Sequence, residues 1–175
     1  MFLGRMNPDK GVHRAIAVAR AAGKRLLIAA KMWESAERRY FAKQLEPLLR
    51  DHAVYLGDWG GQRRLDLLAG AEALLNPIRW PDPFGGLVVI KALACGTPVL
   101  AFAEGAAPEI VEHGRTGLLC TVQADITARL IDVRVARPAR LPSERHRALS
   151  LQGSSTAIAS STSGCCATRP TCGLM

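Results

Sequence analysis

Hydrophobic and polar positions along residues 1–120 alternate between two periodicities. Short continuous apolar runs, such as RLLIAA at 25–30, are typical of buried strands in a parallel sheet. Between them, apolar residues recur at three- and four-residue spacing, which predicts helices with one buried face. The predicted strands are 2–3, 25–30, 54–56, 73–75 and 98–101, and the predicted helices are 12–22, 34–49, 62–69 and 87–94.

This alternation of strands and helices predicts an α/β fold with a doubly wound, mostly parallel sheet, of the Rossmann-like kind. In such a fold, ligands bind at the carboxyl ends of the strands. Because many functions share this architecture, the fold by itself assigns none of them. The candidate function therefore depends on the residues that follow each predicted strand.

Composition narrows the class of protein. The chain has 175 residues and 49% hydrophobic residues, enough for one domain with a buried core. Its apolar stretches are shorter than the roughly 20 residues that a membrane-spanning helix needs. The first residues do not resemble a signal peptide, so we expect a cytoplasmic protein without a membrane span.

The positive charge is concentrated near the end of the chain. The formal net charge is +8, and residues 134–175 hold six arginines and one acidic residue. This segment lacks aromatic residues and any motif that reads bases, so we expect no nucleic-acid partner. The cysteines and histidines lack the paired spacing of a zinc site, and we expect no metal.

Two loops could contact an anionic ligand. Gly4-Arg5 and Asp9-Lys10-Gly11 lie between the first strand and helix, where Arg5 could bind phosphate oxygens through two hydrogen bonds and Lys10 could add a point charge. The alternative is two solvated surface cations. In the second loop, WPDPFGGL at 80–87, prolines restrict the backbone and glycines allow a ligand to approach it; the alternative is a rigid structural turn.

A third segment, 94–117, contains ACGTPV at 94–99, GAAPEIV at 105–111 and GRTG at 114–117, and its turns would reach the same sheet edge. Glu109 lies in it, and its alternative role is to stabilise the first turn of a helix. Taken in order, GRxxxxKG, PxPFG, ALACGTPVLAF and PEIVExGxTGLL closely resemble the C-terminal, donor-binding domain of family 4 retaining glycosyltransferases of the GT-B fold. The resemblance covers residues 2–121.

The resemblance implies that a nucleotide-diphosphate sugar is the donor substrate, transferred with retention to an acceptor held by a separate N-terminal domain. It implies no cofactor and no metal. Arg5 and Lys10 correspond to the pair that neutralises the donor diphosphate, and Asp82 to an acidic residue associated with the sugar. The implied catalytic residues are Arg5, Lys10 and Asp82, and the implied donor-binding residues are Gly4, Phe84, Gly85, Gly86, Leu87, Lys91 and Glu109.

Three features depart from the family pattern. Lys91 stands where the family has a second carboxylate. The spacing from Asp82 to Lys91 is one residue longer than in the family, with the insertion expected at Gly85-Gly86. The match begins at residue 2, so the acceptor domain is expected to be missing and this fragment to be inactive alone. Residues 1–133 are the expected nucleotide-sugar-binding domain, and 134–175 the expected disordered or frame-shifted tail: shifted by one frame, residues 155–168 can spell DGYRQLYERLLRD, which resembles the family's C-terminal helix.

Other function classes stay open at this point. A GT-B nucleotide-sugar epimerase would need a histidine-bearing catalytic half encoded upstream. A non-catalytic nucleotide-sugar-binding or interaction module would bind donor without hydrolysis or transfer. A decayed gene product would show no cooperative thermal unfolding.

Lys91 generates a direct test of the alignment. A carboxylate accepts hydrogen bonds from ribose hydroxyls, whereas a lysine only donates them. We predict that Lys91→Glu combined with deletion of Gly86 strengthens nucleotide-sugar binding, measured by titration of the purified protein. Unchanged affinity would count against the alignment.

Overall fold

The computed structural model describes residues 1–49, 52–80 and 86–132. Its strands are β1 (Phe2–Arg5), β2 (Leu26–Lys31), β3 (Ala53–Gly57), β4 (Leu74–Asn76), β5 (Val99–Phe102) and β6 (Gly117–Cys120). Its helices are α1 (Val12–Ala21), α2 (Ser35–Tyr40), α3 (Gly61–Gly70), α4 (Gly86–Ala94), α5 (Ala107–Ile110) and α6 (Gln123–Ile131). The predicted α/β alternation is confirmed.

The strands form two parallel three-stranded sheets that meet between β1 and β4. The pairing orders are β1-β2-β3 and β4-β5-β6. The Leu75 amide donates to the Met1 carbonyl at 2.8 Å, and the Met1 amine donates to the Ala73 carbonyl at 2.6 Å. Burial lowers the pKa of this amine to about 5. The strands therefore run β3-β2-β1-β4-β5-β6, and the direction of winding reverses between β1 and β4.

Alternate side chains of each strand enter two different apolar cores. On β1, Phe2 packs in a core with α1 and α6, while Leu3 packs in the other core with α3 and α4. On β5, Leu100 and Phe102 belong to the first core and Val99 to the second. Successive strand residues point to opposite faces, so helices cover both faces of the sheet. The predicted doubly wound, Rossmann-like architecture is thereby confirmed.

Several boundaries differ from the sequence-based expectation. β1 continues through Arg5, so Arg5 is held by the sheet rather than by a loop. The helix predicted over 34–49 is α-helical only over Ser35–Tyr40, followed by a π-helical turn (Phe41–Leu45) and a 3-10 turn (Glu46–Leu48). Pro47 in the last turn has no backbone N–H to donate to an α-helical hydrogen bond. β6 and α6 were not predicted, and the tail expected at 134–175 lies outside the described residues.

Gly11 links the loop after β1 to the neighbouring half of the sheet. Its φ is +75°, a left-handed conformation that side chains rarely adopt. A Cβ at this position would lie 2.3 Å from the Pro77 carbonyl oxygen, which itself accepts a hydrogen bond from Arg14 Nε at 2.9 Å. Only glycine lets the start of α1 approach the end of β4 this closely.

Replacing Gly11 should therefore lower the stability by more than the strain of a left-handed backbone alone. We predict that Gly11→Ala lowers the free energy of unfolding by about 3 kcal/mol, through left-handed strain and the clash with Pro77. Gly23→Ala is the matched control, because Gly23 has φ +63° but nothing within 4 Å of its Cβ position. It should cost about 1 kcal/mol. Urea unfolding measures both, and equal losses would contradict the role given to the Pro77 contact.

Candidate functional site: a cationic cleft at the carboxyl edge of the sheet

A cleft of about 280 Å³ lies where the winding direction of the sheet reverses. Its floor includes residues of β1 and the last residue of β4, Asn76. Crevices at this place in open α/β sheets are the usual ligand sites, since the helices on either side diverge there. The lining residues are Phe2, Leu3, Gly4, Arg5, Lys10, Ala29, Lys31, Trp33, Asp58, Trp59, Arg64, Asn76, Ile78, Leu87, Val88 and Lys91.

The cleft is strongly positive. Five cations line it (Arg5, Lys10, Lys31, Arg64 and Lys91), and Asp58 is the one acidic residue among its described lining residues. Arg5 and Lys31 are register partners at the ends of β1 and β2, so the parallel pairing places two of these cations side by side. A concave surface lined by one sign of charge concentrates counter-ions. The cleft is therefore suited to an anionic ligand.

Arg5 is held by two carboxylates of the segment after β2. Its Nε donates to Glu37, and its terminal NH2 donates to Glu34. These hydrogen bonds raise the pKa of the Arg5 guanidinium above its usual value. The Arg5 side chain is still 42% exposed, so part of the guanidinium stays open to a ligand.

Lys10 is placed by a short turn after β1. The 3-10 turn Pro8–Lys10 begins at Asn7, whose side chain accepts from the Asp9 amide at 2.8 Å, and ends at the left-handed Gly11. Proline at the start of the turn and glycine at its end fix its length. The turn brings Lys10 to the same cleft as Arg5.

Two tryptophans give the cleft apolar walls beside its charges. Trp33, which follows β2, is 65% exposed and lies under Lys31, whose Nζ is 4.6 Å from the ring centre. Trp59, which follows β3, packs near Arg63. Aromatic faces next to cations can stack on a flat ring system whose other end is anionic. The cleft thus combines positive charges, which suit an anionic group, with ring faces on which an aromatic group could stack.

Helix α4 forms the opposite wall. Leu87 and Lys91, one helical turn apart, both line the cleft. Gly86 begins α4 and is buried, and a Cβ there would come within 2.5 Å of Ile110 Cδ1. Gly86 therefore allows α4 to pack against α5, beside the cleft.

The structure brings together five of the ten residues that the sequence singled out: Gly4, Arg5, Lys10, Leu87 and Lys91. Gly86 lies next to this group but packs towards α5. Glu109 is exposed on α5 and is not among the residues that line the cleft. Asp82, Phe84 and Gly85 lie outside the described residues, and their assignment stays a prediction.

Sequence reasoning missed Lys31, Trp33, Trp59 and Arg64. A usable signal existed, because Lys31 ends β2 and Trp33 and Trp59 follow β2 and β3 closely. All three stand near the carboxyl ends of parallel strands, where the fold itself locates ligands. The loop after β1 was predicted as a binding site because it carries a motif, whereas the segments after β2 and β3 carry none.

The described residues contain neither a metal-binding cluster nor a membrane-spanning helix. Within 1–49, 52–80 and 86–132, no three or more His, Cys, Asp or Glu side chains form a group that could hold a metal ion. No helix in this part of the chain has the length and apolar character needed to cross a bilayer.

Comparison with known proteins identifies the family. The glycosyl transferases group 1 family matches residues 1–133. The D-inositol 3-phosphate glycosyltransferase of Mycobacteroides abscessus is 34% identical over 122 residues, which are 67% of this chain and 27% of that protein. A putative glycosyltransferase of Bacillus subtilis, YtcC, is 28% identical over 68% of this chain and 31% of its own length.

Solved structures agree with the sequence comparison. Anabaena Alr3699/HepE in complex with UDP and glucose is 28% identical, with a TM-score of 0.61, over 75% of this chain and 37% of that chain. Sucrose-phosphate synthase from Thermosynechococcus elongatus is 28% identical, with a TM-score of 0.65, over 78% of this chain and 37% of that one. The chain thus spans about a third of the length of these relatives. It belongs to the glycosyl transferases group 1 family, with the Rossmann-like fold of GT-B glycosyltransferases.

Proposed function

We propose that this chain is the donor-binding domain of a retaining family 4 glycosyltransferase and binds a nucleotide-diphosphate sugar in the cationic cleft. Its main support is the convergence of Arg5, Lys10 and Lys31 at the point where the sheet changes its winding direction. Alr3699/HepE, a relative of the same fold, binds UDP and glucose. The acceptor would be held by a second domain, and a cytoplasmic setting stays part of this proposal.

Arg5 and Lys10 would act on the departing diphosphate. When the bond between the sugar's anomeric carbon and the phosphate oxygen breaks, its electron pair stays on that oxygen, and negative charge grows on the nucleoside diphosphate. An acceptor hydroxyl oxygen forms the new bond to the carbon, and its proton passes to the departing phosphate oxygen. Cations that are already in place stabilise this charge without reorganisation. Arg5 is well suited to that role, because the sheet holds its backbone and two carboxylates hold its side chain.

The loop before α4 would contact the donor, with Asp82 at the sugar. Asp82, Phe84, Gly85 and Gly86 are assigned to the donor by resemblance, as is Glu109. Gly85 and Gly86 are adjacent and identical, so deletion of either leaves the same sequence. After the deletion, one glycine would still precede Leu87 at the start of α4, where a Cβ would clash with Ile110.

Lys91 favours a second candidate function, in which the chain binds the donor but does not transfer its sugar. It lines the cleft on α4, where the family pattern has a carboxylate. A lysine there adds a fifth cation to the cleft but offers no acceptor for a hydroxyl. Binding of a nucleotide sugar with neither hydrolysis nor transfer, in the presence of a complete acceptor domain, would favour this candidate.

Removing the cations tests the proposed site. We predict that Arg5→Ala weakens binding of UDP and of UDP-glucose by at least about tenfold, because a charged hydrogen bond to phosphate is lost. Lys10→Ala should weaken it by about fivefold, since it removes a point charge. Calorimetric titration of the full chain gives both dissociation constants.

Lys24→Ala is the matched control for these variants. Lys24 is a half-exposed cation that pairs with Glu72 at 2.9 Å, and it does not line the cleft. Its replacement should leave the affinity for UDP unchanged. Equal affinities in Arg5→Ala and Lys24→Ala would overturn the assignment of the cleft to the donor diphosphate.

A further inference from the structure

We propose that Glu37 and Glu34 have opposite effects on the donor site: Glu37 is a positioning residue that orients Arg5 for the donor diphosphate, and Glu34 is a counter-ion that the diphosphate displaces. This inference rests on the proposed function of the cleft. It concerns two residues of the segment after β2 that no sequence motif singled out.

Glu37 is buried and fully engaged. Its side chain is 5% exposed, and one of its oxygens accepts from the backbone amides of Trp33, at 2.8 Å, and Glu34, at 3.1 Å. The other oxygen accepts from Arg5 Nε. Burial raises the pKa of this carboxyl, but the backbone hydrogen bonds and Arg5 outweigh it, so the net pKa is lowered. Glu37 therefore stays a carboxylate that holds the inner edge of the guanidinium.

Glu34 contacts the same arginine from the solvent side. Its side chain is 65% exposed and accepts from the Arg5 terminal NH2. Glu34 is also the residue that precedes the first turn of α2, and its backbone amide donates to Glu37 at 3.1 Å. An exposed ion pair of this kind contributes little free energy, so a diphosphate can replace it.

The two contacts use different nitrogens of the guanidinium, Nε for Glu37 and Nη2 for Glu34. A planar guanidinium binds phosphate through parallel N–H groups, and its two terminal nitrogens form one such pair. Glu37 occupies Nε and fixes the plane, whereas Glu34 occupies a terminal nitrogen that a phosphate needs. Loss of Glu37 would free the Arg5 side chain to rotate. Loss of Glu34 would remove a group that competes with the diphosphate for Arg5.

Glutamine substitutions separate these roles. In Glu34→Gln, the backbone amide that donates to Glu37 is unchanged. In Glu37→Gln, the amide oxygen can still accept from Trp33 and Glu34, while the NH2 faces Arg5 Nε, donor against donor. Each variant removes one negative charge near the cleft. A general charge effect would therefore strengthen binding of an anion in both.

The experiment is a calorimetric titration of UDP into the full chain and its variants. We expect Glu34→Gln to bind about two- to fivefold tighter and Glu37→Gln about tenfold weaker. Glu37→Asp keeps the charge but shortens the side chain, so it should also weaken binding. Glu72→Gln is the control, because Glu72 pairs with Lys24 and does not line the cleft, and it should change nothing.

A second measurement does not depend on any ligand. The Arg5 Nε–H signal in a proton–nitrogen NMR spectrum should be hydrogen-bonded in the unmodified chain and in Glu34→Gln, and should lose that signature in Glu37→Gln. Tighter binding in both glutamine variants, or unchanged binding in Glu37→Asp, would overturn the inference. If Arg5→Ala itself leaves UDP binding unchanged, the proposed function fails; if Arg5→Ala weakens binding but the two glutamates do not act in opposite directions, only this inference fails.

Discussion

The reversal of winding between β1 and β4 is the constraint on which the rest of the structure depends. Hydrogen bonds at Met1 and Leu75 join these two strands, and each then leads outward into its own half of the sheet. Helices on opposite faces diverge at this point and leave a crevice at the carboxyl edge. The contact of Gly11 with Pro77 ties the loop after β1 to the end of β4, so the same junction also sets the position of Lys10.

Charge gives this crevice its chemistry. The sheet aligns Arg5 with Lys31, and α4 brings Lys91 from the other side. Like charges this close repel one another, and in the described part of the chain Glu34, Glu37 and Asp58 lie near enough to offset some of that repulsion. The proposed effect of each carboxylate depends on its burial. The buried Glu37 orients Arg5, whereas the exposed Glu34 can be displaced from Arg5 by a ligand.

Much of the fold could be predicted from sequence, since buried strands and amphipathic helices follow simple periodicities. The start of α4 was predicted to within one residue, because glycines and prolines mark the loop before it, whereas β1 extends two residues beyond its predicted end. Glu37 could not be recognised, because its role depends on a contact across 32 residues between the predicted helix and Arg5. The interruption of that helix near Pro47, and the cleft positions of Trp33 and Trp59, likewise depend on tertiary packing.

The central claim is that this chain binds a nucleotide-diphosphate sugar at the carboxyl edge between β1 and α4. The most direct test is a proton–nitrogen NMR titration of the full chain with UDP-glucose. The account predicts that backbone signals shift at residues 4–11, 31–33 and 86–91 and stay fixed around Lys24 and Glu72, which lie away from the cleft. Shifts centred on Lys24 and Glu72, or no shifts at millimolar ligand, would contradict it.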